Sequence, residues 1–316
     1  MTDIEHVLVT GGCGFIGANL VRFLGHHTPW KIRVVDDLRA GHREYVPDDL
    51  AEIRVGDVAD PEVLEPALEG IDAVVHLASQ TGVQPSLDDP PADFAGNTMA
   101  TFRVLDGCRR RGVARVAFAS SGAAVGDVPP PMHEEVVPKP VSPYGASKLA
   151  GEAYCRAFAA SFGMQTVALR FSNVYGAFSS HKKNAIPTFI KHCLSGRPIV
   201  IYGDGSQTRD FIHVDDLCEA IRLSLFTDGI AGEVFQVATG VETSIADLAA
   251  LVKGAVGTNS EIRFEAKRPG EVHRSRADIS KARRVLGFDP RIGLQDGIAG
   301  TVTWYREQWS DGGVSG

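Results

Sequence analysis

The chain has 316 residues, 44% of them hydrophobic, and its 32 Lys and Arg against 39 Asp and Glu leave a formal net charge of -7. That length allows one large α/β unit with a smaller appendage and a substantial core, while the negative balance excludes uniform attraction to a nucleic-acid backbone or an anionic lipid surface. The five cysteines (Cys13, Cys108, Cys155, Cys193 and Cys218) are odd in number and lack a CxxC, no two histidines have ligand spacing, and no apolar run approaches the roughly 20 residues of a membrane helix, so neither disulfides, a metal site, a signal peptide nor a membrane span is expected and a cytoplasmic setting fits best.

Six short apolar runs predict strands: His6 to Thr10, Ile32 to Asp36, Ile53 to Gly56, Ala73 to Leu77, Val113 to Ser120 and Thr166 to Phe171. Helical patterns separate them, and runs such as Val74-Val75-His76-Leu77 are nearly all apolar, as parallel strands covered on both faces should be. Asp60-Pro61 reads as a helix start, Gly112 and Gly163 as helix ends, and Arg109 to Arg111 as a solvated last turn. After Phe171 the pattern weakens into longer loops and mixed elements that should sit over the sheet, and Ser310 to Gly316 reads as a disordered tail. The expected fold is a Rossmann-type doubly wound parallel sheet with a smaller C-terminal α/β domain.

Between the first predicted strand and a helix, Thr10-Gly11-Gly12-Cys13-Gly14-Phe15-Ile16-Gly17 places glycines at 11, 14 and 17. The first permits a tight turn, the second lets backbone approach a pyrophosphate, and the third lets the helix pack closely while its free amides face the anion. Asp36 ends the second strand 19 residues after Gly17, where a carboxylate can accept from a ribose 2′-hydroxyl and would repel a 2′-phosphate, so NAD is favoured over NADP. Asp57, after the third strand, is either an acceptor for adenine or an ordinary loop residue. Leu77, Ala78 and Ser79 are small enough to leave room for a cofactor, and packing would explain them equally. Tyr144-Gly145-Ala146-Ser147-Lys148 opens a helix with Tyr144 and Lys148 on one face, where an ammonium beside the phenol should lower its pKa and make it a general acid and base.

With TGGCGFIG, Val35-Asp36-Asp37-Leu38, His76-Leu77-Ala78-Ser79, Ser120-Ser121, SPYGASK, Arg170 to Gly176 and Tyr202 to Asp216 in this order, the chain resembles the extended short-chain dehydrogenase/reductase family over residues 5 to 310. Its sugar-nucleotide epimerases of the UDP-glucose 4-epimerase type are the nearest pattern. The resemblance implies an NAD-binding domain at 1–172 and 213–238, a substrate-binding domain at 173–212 and 239–316, and a homodimer paired through the helices around Phe94 to Arg111 and Tyr144 to Phe162. It implies catalytic roles for Ser121, Tyr144 and Lys148 in inverting carbon 4 of a UDP-hexose through a 4-keto sugar. Around the cofactor it implies Gly11, Gly14, Phe15, Ile16, Gly17, Asp36, Asp37, Leu38, Arg39, Gly41, Asp57, Val58, Leu77, Ala78, Ser79, Asn97, Ala119, Tyr144, Lys148, Phe171 and Val174. Around the substrate it implies Ser86, Ser121, Tyr144, Asn173, Asn184, Ala185, Val200, Tyr202, Arg209, Arg268, Glu271 and Ser275.

Three departures from the family pattern narrow the reaction. Relatives that dehydrate sugars carry Asp-Glu directly after the catalytic residue, and decarboxylating relatives carry the Glu; here Gly122 and Ala123 stand there and cannot move a proton. Val125 replaces a family tyrosine, with no chemical reading. Ser275 stands where some glucose-only epimerases have a bulky tyrosine, which leaves room for an N-acetylated hexose, while Ser179 to Lys183 adds positive charge near the sugar and would suit a uronic acid. UDP-glucose, UDP-N-acetylglucosamine and UDP-glucuronate therefore all stand as substrates. Rival readings are another NDP-sugar reaction of the same fold, such as a reductase, synthase or dehydratase, and a non-catalytic NAD-binding sensor or scaffold.

Overall fold

The computed structural model describes residues 4–267 and 273–310. A parallel sheet contains β1 (His6–Thr10), β2 (Lys31–Asp36), β3 (Ala51–Val55), β4 (Ala73–His76), β5 (Arg115–Ser121), β6 (Gln165–Phe171) and a seventh strand, Glu233–Val237. Their spatial order is Glu233–Val237, β6, β5, β4, β1, β2, β3. The chain thus runs outward from β1 through β2 to β3, then returns to β4 on the other side, and the switch between β1 and β4 is where a doubly wound fold gathers ligands.

Alternation along each strand explains the two covered faces. Val7 and Val9 of β1 point into one core and Leu8 into the other; Ala73 and Val75 of β4 oppose Val74, and Ala117 and Ala119 of β5 oppose Val116 and Phe118. The seventh strand was not among the predicted ones. Among the described residues it pairs only with β6, and its sequence EVFQV interleaves polar and apolar residues, so no continuous apolar run marks it.

Helix boundaries follow the predicted punctuation. α1 (Phe15–His27) opens after the glycine turn; α2 (Pro61–Ala67) is capped by Asp60, whose carboxylate accepts from Glu62 N at 2.9 Å. After α3 (Val83–Asp88) and α4 (Pro90–Asp93), a π-helical turn at Phe94–Met99 leads into α5 (Ala100–Arg111). α5 and α6 (Pro143–Phe162) end at Gly112 and Gly163, both left-handed. Arg109 to Arg111 pair at the surface with Asp106 and Glu65.

The second half is more regular than its loops suggested. Helices Ala185–Leu194, Ile245–Val256 and Leu294–Ser310 bury Ile186, Phe189, Leu248, Val252, Ile298 and Val302 in a third core, while Val214–Phe226 packs under the main sheet. The misleading signals were prolines and glycines at element ends: Pro187 occupies a helix's first turn, where a missing N–H costs nothing, and Gly203 and Gly205 take the positive φ of a turn. Two carboxylates from the stretch Tyr202 to Asp216 anchor later segments of the second half. Asp210 accepts from Thr239 N, Thr239 Oγ1 and Gly240 N at 2.7–2.9 Å, and Asp216 accepts from Arg291 N and Ile292 N at 2.9 and 3.0 Å.

Candidate active site

A cleft of about 460 Å³ runs across the carboxyl ends of the strands. Its walls bring together Gly11, Gly14, Phe15, Ile16, Gly17, Asp36, Asp37, Arg39, Gly41, Asp57, Val58, Leu77, Ala78, Ser79, Ala119, Tyr144, Lys148 and Phe171 from the sequence reading. Leu38, Asn97 and Val174 are not in its walls: Leu38 and Val174 pack into the core behind it, and Asn97 acts through its neighbours.

The glycine turn has the shape a dinucleotide needs. Gly11 has φ +70°, and a Cβ there would lie 2.7 Å from Ala78 N; one on Gly17 would lie 2.2 Å from Gly11 O. At Gly14, whose backbone caps α1, an added Cβ would meet only Gly11 O within 4 Å, so the missing side chain leaves the cleft floor bare before the helix's free amides. Asp36 accepts from Cys13 N at 2.9 Å and Leu38 N at 2.8 Å, and its burial raises the carboxyl pKa while these N–H donors oppose the rise. Arg39, a possible clamp for a 2′-phosphate, is instead paired with Asp37 at 2.5 Å and Asp57 at 2.9 Å, which surrounds it with negative charge.

At the other end, α6 presents Tyr144 and Lys148 toward β5. Ser142 caps the helix, accepting from Gly145 N at 3.1 Å. Two glycines set how closely it docks: a Cβ on Gly145 would fall 2.4 Å from Ala123 O, and one on Gly151 would fall 2.3 Å from the Phe118 ring. A buried fork fixes the same helix deeper in. Glu152 accepts from Arg170 Nε and Nη2 at 2.8 and 2.7 Å and from Ser120 Oγ at 2.5 Å, joining α6 to β5 and β6.

Lys148 is buried, donates from Nζ to Ala119 O at 2.9 Å, and lies 5.7 Å from the Tyr144 ring centre. The Ser121 hydroxyl accepts from Ala123 N at 3.1 Å and lies on the Tyr144 side, where it favours the charged form of the phenol. The expected lowering of the phenol's pKa is absent in the protein alone. Burial pushes Tyr144 up to about 12, aided by the nearby Asp93 charge and opposed by Ser121, while burial pushes Lys148 down to about 8. The reason is that burial disfavours the charged form of both groups and outweighs the other influences on them.

Asp93 was missed in the sequence although it stands four residues before Asn97 on one helical face. Its carboxylate accepts from Asn97 Nδ2 at 2.7 Å, and Asn97 Oδ1 accepts from Ser79 Oγ at 2.7 Å and Gln80 N at 2.8 Å. This buried chain locks the loop after β4 against the π-helical turn. Gln80, Thr81, Pro85, Gly96, His181 and Lys182 also line the cleft unforeseen, the last two having been set near the sugar by the sequence reading.

The substrate candidates are dispersed by comparison. Ser86 is buried and donates to Val83 O at 2.7 Å, and Asn173 Nδ2 donates to Asp210 O at 3.0 Å. Asn184 is exposed ahead of Ala185 at a helix start, and Val200 and Tyr202 lie on strand Ile199–Tyr202. Arg209 donates to Thr208 O at 2.8 Å, and Ser275 N donates to the same carbonyl at 3.2 Å, which puts Arg209 and Ser275 side by side. Arg268 and Glu271 lie outside the described residues.

Known proteins with this arrangement are numerous. The model of the NAD dependent epimerase/dehydratase family matches residues 7–238. A UDP-glucose 4-epimerase of Mycolicibacterium smegmatis is 37% identical over 313 residues, 95% of this chain and 98% of that protein. A dTDP-glucose 4,6-dehydratase of Streptomyces niveus is 32% identical over 313 residues, covering 95% and 93%. Among solved structures, Thermus thermophilus UDP-glucose 4-epimerase in complex with NAD superposes with a TM-score of 0.89 at 34% identity, over 96% of this chain and 99% of that one. NAD is the cofactor, and the cleft's glycine cradle and matched Arg39 fit it. With a parallel sheet, and with a glycine cradle and the Tyr144–Lys148 pair in the walls of one cleft, Ser121 standing just behind them, the chain belongs to the NAD-dependent epimerase/dehydratase family of enzymes.

Proposed function

We propose that the protein is a 4-epimerase of a UDP-hexose. The observation that carries this reading is the pairing of Ser121 with Tyr144 beside Lys148, followed by Gly122 and Ala123. Bound NAD supplies a reversible hydride acceptor for carbon 4. Tyr144 Oη takes and returns the proton of the 4-hydroxyl, Ser121 Oγ orients that hydroxyl by hydrogen bonding, and the positive charge of Lys148, joined by that of the oxidised nicotinamide ring, would offset the phenol's burial and make it a usable base. Dehydration would require one group to remove a proton at carbon 5 and another to protonate the departing 6-hydroxyl. Gly122 and Ala123 offer neither, so the reading favours inversion despite the similarity to dehydratases.

On this reading residues 1–172 and 213–238 hold NAD, and 173–212 and 239–316 hold the sugar nucleotide. Ser86, Asn173, Asn184, Ala185, Val200, Tyr202, Arg209, Arg268, Glu271 and Ser275 then surround the nucleotide and sugar, with guanidinium groups on phosphate. A homodimer through α5 and α6 is supported by the exposed rings of Phe102, Tyr154 and Phe162 on these helices. The test is to incubate the purified, NAD-loaded protein separately with UDP-glucose, UDP-N-acetylglucosamine and UDP-glucuronate and follow each by NMR. Epimer formation without net nicotinamide turnover supports the proposal; a 6-deoxy methyl signal, or stoichiometric consumption of reductant, overturns it.

A further inference from the structure

The segment that leaves strand Asn173–Tyr175 does not stay with the second half of the chain. It crosses to the nucleotide side, where Ala177 O accepts from Asn19 Nδ2 of α1 at 2.9 Å and Ser180 Oγ meets Tyr45 OH at 3.3 Å. Phe178, in the left-handed region at φ +62°, wedges its ring against Tyr45 and Trp304 with the Arg22 guanidinium 5.0 Å from its centre. From the other side, Lys191 Nζ donates to Ser180 O at 3.0 Å. A non-glycine residue keeps such a backbone only where surrounding contacts over-determine it, and here they come from both halves.

The crossing delivers two side chains into the dinucleotide cleft, alongside Gly11, Gly14 and Gly17. Lys182 Nζ lies 3.1 Å from Thr81 Oγ1 on the loop after β4, and among the described residues no carboxylate pairs with it. The His181 ring is 6.2 Å from that of His42, whose backbone N–H donates to Cys13 O in the glycine turn. His181 Nδ1 is buried without a hydrogen-bond partner among the described residues. The other cations in the cleft wall are committed, Lys148 to Ala119 O and Arg39 to Asp37 and Asp57. A desolvated ammonium without a counter-charge and an unsatisfied ring nitrogen, both facing a glycine cradle, describe half of an anion site.

We propose that Phe178–Lys183 is a strap that clamps the diphosphate of NAD, with Lys182 Nζ and His181 Nδ1 as its ligands opposite the amides of α1. The strap belongs to the dinucleotide and not to the sugar, and the proposal stands whichever sugar reaction the enzyme performs. Contacts from both halves must open before the phosphates are released, which would keep the cofactor in place.

The test measures binding alone. Lys182→Met and Lys182→Arg are compared with the native chain by calorimetric titration of dialysed protein with NAD, ADP, adenosine and UDP, together with the NAD retained after dialysis of loaded protein. Loss of one charge-assisted bond should weaken NAD and ADP about tenfold in Lys182→Met, with a shallower salt dependence, and leave Lys182→Arg near native. Adenosine, which lacks phosphate, should bind all three equally, and this also reports that the cleft is folded. UDP should be unaffected. Unchanged NAD and ADP affinity in Lys182→Met overturns the proposal, as does a loss that falls on UDP instead, which would assign the cation to the substrate's diphosphate, or a loss that extends equally to adenosine, which would reduce Lys182 to a structural role.

Discussion

Gly145→Ala offers a direct measure of how tightly the reacting groups are positioned. The new Cβ would lie 2.4 Å from Ala123 O, a backbone atom, so α6 and the Gly122–Ala124 turn must separate by about 1 Å to reach ordinary contact. Tyr144 is the preceding residue on the helix and Ser121 caps that turn, so the separation falls between the phenol and the Ser121 hydroxyl. Overpacking should cost about 1–3 kcal/mol, while replacing a helical glycine returns up to about 1 kcal/mol, so the melting temperature should fall by only a few degrees. Catalysis is more sensitive, because a displacement of about 1 Å can cost on the order of 100-fold in rate. Turnover of the converted UDP-sugar should therefore drop on that order with NAD content unchanged, and a rate within threefold of native would refute the close-docking argument.

Tyr144→Phe should retain NAD and lose conversion by at least three orders of magnitude, read by cofactor content and NMR turnover; substantial residual activity would remove Tyr144 as the base. Lys148 in the folded apoprotein sits near pKa 8 against 10.5 in the unfolded chain, so between these values the unfolded chain binds the extra proton and this group's contribution to stability rises with pH. The denaturation midpoint of the native apoprotein should accordingly gain on that of Lys148→Met from pH 8 to 10, and a parallel course would contradict the burial argument. Because the Asp93 charge raises both neighbours, Asp93→Asn should move the Lys148 titration further down in a lysine-side-chain NMR experiment. Ser275→Tyr should penalise UDP-N-acetylglucosamine more than UDP-glucose in kcat/KM, and equal losses would dismiss Ser275 as a determinant of pocket size.

Local sequence alone determined the first six strands, the caps at Asp60, Gly112 and Gly163, and the glycine turn, because each rests on a pattern within a few residues or on a backbone angle that only certain residues adopt. Tyr144 and Lys148 were legible for the same reason, being one helical turn apart. Only the tertiary structure decided the rest. The edge strand Glu233–Val237 exists because β6 offers it a partner, Asp93 matters because a π-helical turn aims Asn97 at the loop after β4, and Lys182 reaches the cleft because its segment crosses between the halves. The charge state of Tyr144 depends on the same long-range facts: desolvation is set by what packs around a group in space, and no spacing along the chain records it.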